Sequence, residues 1–186
     1  MCAVSFTMEE SFIKSAKVSN VKISLKLKNF KFDNKEINTE KYLNFFVIKN
    51  KFSYVVFKKG KNNLTHVNIT KIRKISHVKK SVRHFLKLSK SSKKQIYSKQ
   101  IDNITVTGKL KIPVEIIKFI SRNNENSKIQ KIKFNTQKFP GLFVKLKTGE
   151  NLTLFGSGSF IILGLKSSEQ INSVLNLLNE CIKNVM

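Results

Sequence analysis

The chain has 186 residues, 40% of them hydrophobic, enough to bury the core of one ordinary domain or of two small fused half-domains. Against 11 acidic residues stand 36 Lys and Arg, a formal net charge of +25 that exceeds what solubility requires and implies a polyanionic partner, nucleic acid first and an anionic membrane surface second. The longest apolar stretch, Phe160 to Leu165, falls far short of the ~20 residues that a spanning helix needs, so a helical membrane span is excluded.

Residues 1–17 read as an N-terminal tail. They carry Glu9 and Glu10 and no continuous apolar core, unlike a secretory signal, and the expectation is a chain that stays inside the cell. Cys2 and Cys181 are the only cysteines and suggest neither a disulfide scaffold nor a zinc site; both read as ordinary thiols, and no metal or other cofactor is expected. From Val18 the chain alternates: Val21, Ile23, Leu25 and Leu27 point one way and Lys22, Ser24, Lys26 and Lys28 the other, as in a half-buried strand. Tyr42 to Ile48 and Phe52 to Phe57 are further strand-like runs. Ile75, Val78, Val82 and Phe85 then form the apolar stripe of a helix over about Lys74 to Leu88, whose remaining surface is basic. Ser89 to Lys99 is a Ser/Lys run without apolar periodicity, a linker.

The pattern then restarts. Ile101-Asp-Asn-Ile-Thr-Val-Thr repeats Val18-Ser-Asn-Val-Lys-Ile-Ser, with Asn103 lying 83 residues after Asn20, Ile104 and Val106 inward, and Thr105, Thr107 and Lys109 outward. A helix is expected over Pro113 to Ser121, strands at Phe139 to Val144, Asn151 to Phe155 and Phe160 to Leu163, and a last helix from Ser168 to Lys183. Ile171, Val174, Leu175, Leu178 and Ile182 stripe that helix, and Ser167 with Gln170 resembles a capping box at its start. The organisation read from these elements is a tail at 1–17, a reduced first repeat at 18–88, a basic linker at 89–99 and a second repeat at 100–186.

Phe139-Pro-Gly-Leu, then Leu154-Phe155-Gly-Ser-Gly, then Ile162-Leu-Gly-Leu-Lys166, in that order within one repeat, resemble the second repeat of the TATA-box-binding-protein family. The Ile101-Asp-Asn-Ile strand stands where that family has Gln-Asn-Ile, and the resemblance spans residues 18 to 183, most densely in the second half. It implies an α+β fold in which two pseudo-symmetric repeats form a curved antiparallel sheet, a saddle with its helices on the convex face and the minor groove of DNA against its concave face. Carried over residue by residue, Phe139 and Phe155 would be wedges that enter a base step, with Tyr42 and Phe57 their first-repeat counterparts, since the two spacings are 16 and 15. Asn20 and Asn103 match paired asparagines whose amides donate to base-edge acceptors. Ile161 and Leu163 match apolar contacts to the groove floor. Asn68 and Thr70 are preferred for the same role in the first half, which requires about five extra residues in the Lys58 to Asn63 hairpin; gapless alignment gives Asn63 and Thr65 instead.

This chain also departs from the family. Lys22 and Thr105 replace valines on the DNA-facing surface, which makes it more polar. Leu163-Gly-Leu-Lys166 replaces Thr-Gly-Ala-Lys, with Thr70-Lys-Ile-Arg73 as its first-repeat counterpart. The interval from Asn20 to Tyr42 is too short for the two helical turns that the family has there. Asn135 to Lys138 lacks the acidic residues offered to a TFIIB-type partner.

The expected function is a minor-groove DNA-binding and DNA-bending protein acting as a TBP-like transcription initiation factor. Its partners would be A·T-rich double-stranded promoter DNA and polymerase-associated factors, TFIIB-like or virus-specific, with no membrane; it would act as a monomer or in a heteromeric complex. It would work in the nucleus or at another site of transcription, a cytoplasmic viral factory if the compact chain is viral. The alternatives are a module of the same fold that binds RNA–DNA hybrid or damaged duplex without TATA specificity, and a basic packaging or assembly protein. No P-loop, GxGxxG, nucleophile elbow or carboxylate cluster supports an enzyme, and His66, His77 and His84 join no carboxylate or cysteine in a catalytic pattern. Any one of the 15 Phe residues is more often core than wedge, and only the motif singles out Phe139 and Phe155.

Overall fold

The computed structural model describes residues 11–32, 39–57 and 63–186. In chain order its elements are β1 (Ile13–Lys28), β2 (Thr39–Lys41), β3 (Phe45–Lys49), β4 (Ser53–Phe57), β5 (Leu64–Ile72), α1 (Val78–Leu88), β6 (Ile96–Leu110), α2 (Ile116–Asn123), β7 (Ile129–Asn135), β8 (Phe139–Leu146), β9 (Asn151–Phe155), β10 (Ser159–Leu165) and α3 (Ser168–Lys183). The chain is α+β, with antiparallel strand pairing. It divides into two compact units, one formed by Ser19–Asn103 and the other by Ile104–Met186 with the chain's start as far as Val18. Each unit therefore holds one end of each long strand, β1 and β6.

In the unit Ser19–Asn103 the strand order is β2-β3-β4-β5-β1-β6. The alternation read in β1 is present: Val21, Ile23, Leu25 and Leu27 are wholly buried, as are Val67, Ile69 and Ile72 of β5. Onto this face α1 lays Val78, Val82, Phe85 and Leu86. Phe85 is the centre of the layer, its ring 5.2 Å from Tyr54 of β4 and 5.9 Å from Phe30, while Phe32 packs 4.8 Å from Phe46. Truncating so buried a ring to Ala costs about 3–5 kcal/mol. Ile75–His77 form a 3-10 turn before α1, so the α-helix starts four residues later than the apolar stripe suggests.

In the other unit the order is β1-β6-β10-β9-β8-β7. Ile104 and Val106 of β6, Phe160 and Ile162 of β10, Leu154 of β9 and Leu142 of β8 are buried on one face. Phe119 of α2 and Val174, Leu178 and Cys181 of α3 meet Val144, Leu146 and Leu152 there. The Ser167 hydroxyl accepts the Gln170 N–H at 3.3 Å and so caps α3, whereas the Gln170 side chain takes the Lys166 N–H at 2.7 Å, one residue before the expected box partner. The chain's start is tied in as well: the Phe12 N–H donates to Asn179 Oδ1 at 2.7 Å and the Lys111 N–H to the Phe12 carbonyl at 2.8 Å.

Several boundaries differ from those read in the sequence. β1 begins at Ile13, inside the stretch read as tail, with Ile13 buried. β6 begins at Ile96, inside the stretch read as linker. Its first residues, Tyr97 to Gln100, are all exposed, so periodicity could not reveal them. The hairpin strands β2 and β7 were not anticipated, and α2 runs Ile116–Asn123 rather than from Pro113 to Ser121. Residues 1–10, with Cys2, and the hairpin at 58–62 lie outside the described residues.

Candidate nucleic-acid interface

In each unit the helices cover one face of the strands, and the side chains that alternate with the core lie on the other, open face. In the unit Ile104–Met186 this face carries Thr105 and Lys109 of β6, Ile161 and Leu163 of β10, Phe155 of β9, and Phe139 and Phe143 of β8. Phe139 lies 5.7 Å from Phe155 and stacks 4.9 Å from Phe143, and Phe139 and Phe143 are 37% and 46% exposed. Gly141 makes this arrangement possible. It stands opposite Phe155, and a Cβ there would come within 2.4 Å of the Phe139 ring and 3.0 Å of the Phe155 ring. The Thr153 methyl sits against the same point and is buried although its strand position is on the open face.

The unit Ser19–Asn103 repeats this face with different side chains, and the strand ladder fixes the correspondence. Between the partners Val21↔Ile72 and Ile23↔Ile69, β5 carries one residue more than β1. Between Ile104↔Leu165 and Val106↔Ile162, β10 likewise carries one more than β6. Both bulges pass through left-handed backbone, at Lys71 (φ 62°) and at Gly164 (φ 92°). Thr70-Lys-Ile-Arg73 and Leu163-Gly-Leu-Lys166 are therefore the same feature, and Asn68 and Thr70 stand on the rungs of Ile161 and Leu163. Thr65, from the gapless alignment, is buried on the helix side.

Following the ladder outward, Ser53 faces Thr70 as Asn151 faces Leu163, so Phe57 occupies the rung of Phe155. Here the structure differs from the sequence pairing of Tyr42 with Phe57. Phe45 stands opposite Phe57, where the other unit has Gly141, and Tyr42 lies in the turn beyond. The rings run Tyr42–Phe45 at 4.6 Å and Phe45–Phe57 at 5.9 Å. The β3–β4 turn has three residues between its last paired residues and the β8–β9 turn five, which shifts the register. Tyr42 is held from outside: its hydroxyl donates to Glu40 at 3.3 Å, and Lys49, 2.5 Å from the other Glu40 oxygen, keeps that carboxyl below its ordinary range.

On the same face Asn20 Oδ1 accepts the N–H of Lys71 at 3.0 Å, which pins the bulge and leaves the Asn20 amide nitrogen as the donor. Asn103 is the last residue of this unit. Lys22 reaches Asp102 at 3.8 Å, Ser24 bonds to Asp102 and to Asn68, and Lys28 lies 4.6 Å over the Tyr97 ring. Phe45, Phe143, Ser24, Asp102 and Tyr97 were thus not predicted from sequence as site residues. Strand alternation from Phe139 could have found Phe143, but nothing short of the hairpin register could have found Phe45.

The titratable groups away from this face are structural. Burial pushes the Cys181 thiol up to about 11, with Glu180 adding to the shift. Burial, then Lys51 and Lys87, lowers the pKa of His84, whose Nδ1 meets the Tyr54 hydroxyl at 2.7 Å. Among the described residues no group of three or more His, Cys, Asp and Glu could hold a metal ion, and no helix is long and apolar enough to cross a membrane.

Residues 98–185 match the family model described as Transcription factor TFIID (or TATA-binding protein, TBP). Among solved structures, the TBP of Methanococcus jannaschii matches with a TM-score of 0.67 at 21% identity, over 90% of this chain and 98% of that one. No curated protein gives a significant match. The matched family consists of non-enzymatic DNA-binding proteins that act in transcription, in the nucleus or wherever transcription takes place. Residues 98–185 thus carry the domain of the TATA-binding-protein family, and the chain has the fold of an archaeal member over nine tenths of its length.

Proposed function

We propose that this protein binds duplex DNA through the minor groove, bends it, and serves as a non-enzymatic transcription initiation factor at A·T-rich promoters. The observation that carries this reading is the pair of ring clusters, Phe139–Phe143–Phe155 and Tyr42–Phe45–Phe57, each on a face that the helices leave open. Phe139 and Phe143 are too exposed to be explained as core. A ring inserted at a base step costs a few kcal/mol of unstacking, which contacts along the bent groove offset. The Asn20 amide nitrogen suits the acceptors that both A·T and T·A present in the minor groove. Lys26, Lys28 and Lys109, exposed on the open faces, suit the phosphates. On this reading Asn103, Lys22, Thr105, Asn68, Thr70, Ile161 and Leu163 contact the groove. Polymerase-associated factors bind elsewhere on the protein, and the site of action is the nucleus or a viral site of transcription.

A second reading, a module of the same fold without TATA selectivity, draws on the polarity of Lys22, Ser24, Asn68 and Thr70 against the apolar Ile161 and Leu163. Titration of A·T-rich duplex, G·C-rich duplex and RNA–DNA hybrid at one salt concentration separates the two. The promoter reading predicts at least tenfold tighter binding to the A·T duplex, in line with the ~1–3 kcal/mol that a good contact set discriminates. Equal binding to all three would reject it in favour of the second.

A further inference from the structure

We infer that residues 4–10 dock back onto their own chain and lay Phe6 and Met8 into an apolar groove between the start of α2 and the end of α3. Ile112, Pro113 and Val114 line this groove from the segment before α2, and Ile182, Val185 and Met186 line it from α3 and the residues after it. Glu115 and Lys118 are its charged members, and Met186 is 70% exposed there. Its volume of about 180 Å³ is below the ~300–1,000 Å³ of a small-molecule site, so it suits one or two side chains rather than a cofactor.

The course of the chain names the occupant. β1 and β6 are neighbours; the Ser15 carbonyl lies beside Gly108, and the Lys111 N–H donates to the Phe12 carbonyl at 2.8 Å, so the two strands run in opposite directions. The Phe12 N–H donates to Asn179 Oδ1 at 2.7 Å, one turn before Ile182 on the same face of α3. Going back from Ser11 along the line of β1 therefore leads past Ile112, Pro113 and Val114, the groove's own wall. Strand pairing ends there, since Pro113 has no N–H and the Val114 N–H is taken by the Gly156 carbonyl, which leaves side chains to hold the segment. From Ser11 to Phe6 is up to about 17 Å of extended chain, and alternate residues such as Phe6 and Met8 then fall on one side. Charge agrees with this occupant: Glu9 and Glu10 are the acidic residues of the segment, and Lys111, Lys118 and Lys183 stand around the groove against Glu115 alone. A segment tethered this closely has an effective concentration of order millimolar, so a weak contact suffices to keep it docked.

The test attaches a nitroxide to Cys2 of the full chain. Cys181 is buried and its thiol is pushed up to about 11, so at neutral pH the reagent takes Cys2. The label should broaden the amide resonances of Ile112, Val114 and Val185 beyond detection, and Phe6→Ala combined with Met8→Ala should restore them. Unchanged amide shifts in the rest of the protein verify that the double variant is folded. Sharp resonances at these three residues in the labelled wild type, or equal broadening in the double variant, would overturn the inference. A mixture of nitroxide-labelled chain with isotope-enriched chain that carries no nitroxide covers the remaining case. Broadening in that mixture would assign the groove to the segment of a second copy and overturn docking within one chain; its absence is the result expected.

Discussion

Gly141 and Phe45 occupy one rung of the two ladders, and the presence or absence of a side chain there decides how the neighbouring rings are held. At Gly141 the empty position receives the Phe139 ring; at Phe45 the side chain is itself the ring that faces Phe57. Gly141→Ala should therefore displace the exposed Phe139 ring at a stability cost of about 1 kcal/mol or less, because the ring can swing into solvent. Loss of the ring-current shift of the Thr153 methyl, with a nearly unchanged melting temperature, checks this. Phe139, Gly141 and Phe155 were legible in the sequence because Phe-Pro-Gly-Leu is contiguous, whereas Phe45 depends on a turn length that no local pattern records. His84 gives a second prediction at this scale. It is held neutral in the folded protein, so the unfolded chain takes up a proton first, near the ordinary value of 6.5. Its contribution is complete above that pH and is lost as pH falls through the lower folded value. Denaturant midpoints should fall from pH 7 to pH 5, and His84→Gln should flatten the dependence.

The most informative element is the bulge, because it occurs twice on different residues. Gly164 adopts its positive φ without penalty; Lys71 adopts the same region with a Cβ, stabilised by the Asn20 side chain on its N–H. Lys71→Gly should raise unfolding free energy by about 1 kcal/mol, and Asn20→Ala should lower it by about as much. In urea titrations the two effects should not be additive, since Asn20 acts on the backbone that Lys71→Gly relaxes. Sequence paired Leu163-Gly-Leu-Lys166 with Thr70-Lys-Ile-Arg73, but that both are bulges is visible only in the strand register. It also missed β7, where the alternation of Ile132 and Phe134 with exposed Lys131 and Lys133 is only four residues long. Where the second repeat packs Phe119 of α2, the first has Phe30 stacked on Phe85 and Phe32 tilted against Phe46, with no helix there among the described residues.

For the molecule as a whole, charge is unevenly shared. Ser19–Asn103 carries 22 Lys and Arg against four Asp and Glu, +18 of the total +25. DNA affinity should fall steeply with salt, and each phosphate contact removed should lower the log–log slope by about 0.9. Replacing Lys26 and Lys28 on the open face should do this, while replacing Lys79 and Lys80, exposed on α1, should leave the slope nearly unchanged. Family and fold class were legible because motif order in the second repeat and the recurring Asn strand survive divergence. The polar network of Ser24, Asn68 and Asp102 was not, because it joins three strands far apart in sequence. The most direct test of the central claim is a fluorescence-transfer measurement of bending on end-labelled A·T-rich and G·C-rich duplexes, with the wild type and with Phe139→Ala combined with Phe155→Ala. The account predicts a sharp bend of the A·T duplex by the wild type, and weak, salt-sensitive binding without a bend by the double variant. Straight duplexes bound equally by both proteins would contradict it.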